Sequence, residues 1–139
     1  MLGNPVAIMH TYLSAQAPLM ALATGGLYSP RIPGGKSPPA IAFFVRGGTS
    51  NPHIPPLVTV SFQFDCWANS DDTPNEDAYD IYLELYETLQ GIQNKIVTVG
   101  ADTYKIKSVV EEVSGQQIQP VDPKDYHRTM GLFQAMMEV

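Results

Sequence analysis

The sequence predicts an α+β domain: a mostly antiparallel β-sheet with an N-terminal helix and a central helix packed on one face. Three observations carry this. Leu57 to Trp67 alternates apolar and polar residues with hardly a break, Thr73 opens one strongly amphipathic segment, and β-rich runs follow that segment without a second long helix. At 139 residues and 44% hydrophobic, the chain suits a single domain, 1–139, with its own core.

Asn4 before Pro5 reads as a helix N-cap and first-turn proline, and Val6, Met9 and Leu13 recur at helical spacing up to about Ala17. A shorter helical piece covers Pro18 to Ala23 and stops at Gly25-Gly26. Two extended Pro/Gly loops are expected, at 29–39 and 47–56, either side of the short strand Ala40 to Arg46. The second, "GGTSNPHIPP", is too long for a tight hairpin and is expected to project as a flexible arm. In the long strand, Val58, Val60, Phe62, Phe64 and Cys66 share a buried face, leaving Thr59, Ser61, Gln63 and Asp65 on a wetter one.

"TPNE" supplies a capping box for the central helix, with Thr73 bonding the Glu76 amide and Pro74 at the first helical position. Ala78, Ile81, Tyr82, Leu85 and Leu89 form the core stripe, and Gly91 ends the helix. The runs "KIVTV", "YKIKSVVEEV" and "YHRTMGLFQAMMEV" complete the sheet, with a turn at Gly100-Ala101-Asp102 and a corner at "QPVDP".

A net charge of −6 disfavours a surface that tracks nucleic-acid phosphates. No apolar stretch reaches the roughly 20 residues that span a bilayer, and the N-terminus lacks the order of a secretion signal, so no membrane partner is expected and synthesis in the cytoplasm is. The single cysteine, Cys66, forms no internal disulfide, and on the apolar face it reads as a small hydrophobe and not a nucleophile. His10, His53 and His127 have no zinc-like spacing; His53 reads as a contact residue in its arm and His127 as an edge-strand side chain. Asp65 with Asp77 is the one conceivable carboxylate pair, but the acids of Asp71 to Glu87 suit a helix N-terminus and a solvated flank. No glycine pair forms a phosphate loop, so no catalytic residue, cofactor or metal is assigned. Trp67, opposite in face to Cys66, caps the sheet or enters a subunit contact.

The short N-terminal helix, "LYSPRIPGGKSPPAIAFFV", the strand ending "QFDCWA", the acidic-capped helix to "LQG" and the strand opening "YHR" together resemble the tail-completion or tail-terminator proteins of long-tailed bacteriophages. Gln63, Asp65, Trp67 and Ala68 match that family's polar-aspartate-x-tryptophan-alanine strand ending. The resemblance implies a structural virion protein without catalysis. It would form a homo-hexameric ring at the head-proximal end of the tail tube, stop tube growth and join the tail to the head connector or other neck proteins. DNA would pass through without specific binding. A different neck or head-closure ring, or a small enzyme, are the alternatives. Trp67, Arg31, Lys36, His53 and Ile54 are the candidate subunit or ring contacts, and Asp77, Asp80 and Glu84 the candidate lumenal acids.

Overall fold

The computed structural model describes residues 2–69, 72–118 and 127–139. The elements run α1 (Pro5–Ser14), α2 (Ala17–Leu22), β1 (Leu27–Tyr28), β2 (Ala40–Ser50), β3 (Leu57–Ala68), α3 (Pro74–Leu89), β4 (Gln93–Val99), β5 (Asp102–Ile118) and β6 (His127–Glu138). They form an α+β domain around one six-stranded sheet of order β1-β2-β3-β6-β5-β4. Among the described residues only the β1–β2 pair is parallel. Asp71, the "QPVDP" corner and Tyr126 lie outside the described residues.

Local chemistry sets the helix ends. The Asn4 carboxamide oxygen accepts from the Val6 amide at 2.9 Å, so α1 begins where a capping side chain precedes a proline. Helix α3 has Pro74 in its first turn, but the capping box is not formed. The Thr73 hydroxyl instead makes a long 3.4 Å contact with the Asp77 carboxylate. At the other end Gly91 takes φ +77°, a conformation costly for residues with a Cβ, and its amide donates to Val109 at 3.0 Å.

All five residues of the α3 stripe are buried, and with Ile8, Met9, Leu13 and Leu19 they cover one face of the sheet. On that face Phe43, Phe62, Phe64 and Phe133 stack with centroid separations of 5.4 to 6.1 Å among touching rings. Helix α1 touches both β1 and β4, the two edge strands, so the sheet curls around it. Cys66 is fully buried here, and burial raises its thiol pKa, with the Asp65 charge adding to the rise. Its register partner Thr129 carries a buried hydroxyl without a hydrogen-bond partner among the described residues. Thr129→Val keeps the shape and removes that desolvated hydroxyl. It is expected to raise the unfolding free energy by about 1 kcal/mol in a urea titration.

Two further expectations are corrected. The segment 47–56 is not a free arm, because β2 continues through Ser50 and pairs with β3 as far as Ser50↔Val58. Register slips by one residue at Arg46, and Gly48 (φ +152°) lies so close to β3 that a Cβ would sit 2.1 Å from the Thr59 carbonyl oxygen. The remaining connection is ordered by Asn51, whose side-chain oxygen accepts from the amides of His53 and Ile54 at 2.8 and 3.0 Å. Nor is β6 an edge strand: it lies between β3 and β5, and His127 Nδ1 donates to the Asn75 side chain of α3 at 3.0 Å.

Candidate interaction site on the uncovered sheet face

The face of the sheet opposite the helices carries the motif residues of β3. Alternation puts Gln63, Asp65 and Trp67 there. The expected wetter side is closed at this end, since Gln63 is 8% and Asp65 6% exposed. What closes it is a line of polar contacts along the strand. Arg46, the residue left over by the β2 bulge, donates from Nη1 to the side-chain oxygen Oε1 of Gln63 at 3.2 Å. Gln63 Nε2 donates to Asp65 Oδ1 at 3.2 Å, and Arg128 Nη1 lies 3.6 Å from Asp65 Oδ2. The Arg128 guanidinium also sits over the Trp67 ring, 5.3 Å from its centroid. Trp67 and Arg128 are register partners on neighbouring strands, which is why they meet.

Burial raises the Asp65 carboxyl pKa above its ordinary value; the Gln63 hydrogen bond and the Arg128 charge offset part of the rise. As pH climbs through the ordinary aspartate range, the unfolded chain releases this proton before the folded chain does. The contribution of Asp65 to stability is therefore largest in acid and is lost as pH rises through the folded pKa. Asp65→Asn keeps an acceptor for Gln63 and removes the buried charge. The variant is expected to gain more in melting temperature at pH 7 than at pH 3, measured by calorimetry at both values.

The loop after β1 folds over the end of this face. Together with the strands it walls a cleft of about 380 Å³ in which Arg31, Lys36, Asp65, Trp67 and Arg128 converge. Ser29 anchors the loop by donating to the Phe43 carbonyl, and the Gly25 amide anchors its return through the Pro39 carbonyl at 2.7 Å. Three expected contact residues, Trp67, Arg31 and Lys36, thus share one cleft. His53 and Ile54 are at the hairpin tip, at the other end of β3 and ~33 Å from Trp67 at 3.3 Å per strand residue. Arg46 and Arg128 were not expected at the site; their signal is their register opposite the Gln63 to Trp67 segment, which the sequence by itself does not display.

Asp77 and Asp80 lie on the helix side of the sheet, in a depression shared with Leu22, Pro39 and Ala68, and Glu84 continues the same flank of α3. Asp65 and Asp77 therefore stand on opposite faces and form no carboxylate pair. His10 is held structurally, donating from Nε2 to the Leu27 carbonyl at 3.0 Å and stacking on Phe43. Among the described residues no group of three or more His, Cys, Asp or Glu is placed to hold a metal ion. Among the described residues no helix is long and apolar enough to cross a membrane. No protein-family model matches the chain, and a search of curated proteins gives no match.

Proposed function

We propose that this protein is a structural ring subunit of a long-tailed phage neck, acting as the tail terminator that halts tube growth and joins tail to head. The observation that carries the reading is the form of the Gln63, Asp65, Trp67, Ala68 strand ending. Its polar residues are used up in a connected network with Arg46 and Arg128 on an uncovered sheet face, an arrangement suited to rigid presentation of a surface. A buried carboxylate already bonded to Gln63 and paired with Arg128 is poorly placed to act as a general base. The proposed ring is made in the host cytoplasm and ends in the virion, with the tail tube protein and connector proteins as its neighbours and DNA passing through its centre.

The test is to add the purified protein to polymerising tail tube protein and image the products. One blunt, capped end per tube with arrested growth is the expected result; tubes of unaltered length and bare ends overturn the reading. A ring that binds the connector but leaves tube growth unchanged assigns the protein to another neck position.

The hairpin tip is the proposed contact to the adjoining ring, because Ile54 is 52% exposed and His53 is exposed as well. Replacing residues 52–55 by two glycines is expected to change the melting temperature by less than about 3 °C, given that a surface substitution away from packed groups is within about 0.5 kcal/mol. Head-to-tail joining, counted as infectious particles assembled from separate heads and tails, should fall. Full joining by the trimmed protein would show the tip to be dispensable.

A further inference from the structure

The ring reading leaves open which surfaces of neighbouring copies meet, and two patches of opposite charge answer it. The first is the cleft on the uncovered face, where Arg31 and Lys36 are exposed at the rim and, among the described residues, meet no carboxylate. Arg128 adds a third positive group, partly engaged by Asp65, and the Trp67 ring and Ile32 provide apolar wall. The second is the flank of α3 bearing Asp77, Asp80 and Glu84, in a span where no Lys or Arg occurs from Gly47 to Asn94. Beside these acids Leu22 is 41% exposed, although it is a large aliphatic side chain.

Both patches are built on the last two residues of β3. Trp67 lines the cleft and Ala68, the next residue, lines the acidic depression, so the patches lie back to back across the sheet. One copy cannot join its own two patches, and a two-fold pair would set like charges together. Contact of unlike patches is head to tail, and it propagates until the rotation closes a ring.

We propose that the cleft of Arg31, Lys36 and Trp67 in one copy receives the α3 flank of Asp77, Asp80 and Glu84 and the Leu22 side chain of the next. This inference rests on the ring reading above. It places these acids between subunits and not on the lumen that the sequence suggested. Cations at the rim meet acids, Leu22 meets the Trp67 and Ile32 wall, and the Asp65 to Arg128 pair holds the ring of Trp67 in place.

Charge reversal tests it by sedimentation velocity, with circular dichroism melting as the check on folding. Asp77→Lys with Asp80→Lys forms one variant and Arg31→Glu with Lys36→Glu the other. Each alone is expected to associate about a hundredfold more weakly than the wild type, through like-charge contact. An equimolar mixture, or one chain with all four changes, should recover the ring. Rings that persist in both single variants, or a mixture that stays dissociated, overturn the inference and leave the ring reading standing. A wild type that is monomeric at every concentration overturns both. If either variant fails to fold, the wild type decides: its association should weaken about tenfold between 0.05 and 0.5 M salt, and salt-independent assembly overturns the proposal.

Discussion

Phe64→Ala is expected to lower the unfolding free energy by about 3 to 5 kcal/mol, the cost typical of removing a buried aromatic ring and leaving a partly collapsed cavity. Phe64 is fully buried at the centre of the aromatic cluster, touching Phe43 at 5.4 Å, Phe133 at 5.7 Å and Phe62 at 6.1 Å between centroids. It stands on β3 between β2 and β6, so three strands and the helix layer lose contacts at once. Domains of this kind are stable by about 5 to 15 kcal/mol, and the loss would bring the variant near its folding limit. Urea titrations should show a lower midpoint with an unchanged slope, and Phe64→Leu should recover most of it. A loss below about 1 kcal/mol for the alanine variant would mean that the cluster is not the centre of the core.

Gly131→Ala is expected to cost about 1 to 3 kcal/mol by overpacking, although the change adds a single methyl group. A Cβ at Gly131 would lie 2.7 Å from Cε2 of Tyr82, and one at Gly115 would lie equally close to Cε1 on the ring's other edge. Tyr82 has nowhere to retreat. Its hydroxyl donates to the Glu111 carboxylate, which also accepts from Ser114 at 2.8 Å, and burial together with the Glu111 bond raises the tyrosine pKa. Two glycines on β5 and β6 thus form a slot for one aromatic ring of α3 and fix how the helix lies on the sheet. Combining Gly131→Ala with Tyr82→Leu should cost less than the sum of the single changes, with a coupling of about 1 kcal/mol or more in a thermodynamic cycle. Strict additivity would mean that ring and glycine do not interact.

The faces of individual elements were determined by sequence. Alternation from Val58 to Cys66 placed each of those side chains on its side of β3, and the spacing of Ala78, Ile81, Tyr82, Leu85 and Leu89 set the buried stripe of α3. These are local properties, because the periods of a strand and a helix are written into consecutive residues. The capping box at Thr73 shows the limit of local rules: a cap is one weak option among several that the side chain has once Asp77 is near. Tertiary structure alone decided what lies beside and above each face. Inserting β6 between β3 and β5 brought Arg128 opposite Trp67 and beside Asp65, from more than sixty positions away in the chain. The bulge at Arg46 aimed a cation at Gln63, and the loop after β1 folded over the Asp65 and Trp67 end of the face to make a cleft beside a buried carboxylate. Strand order and loop placement minimise exposed apolar surface and unpaired polar groups over the whole chain at once, so no window of neighbouring residues contains them.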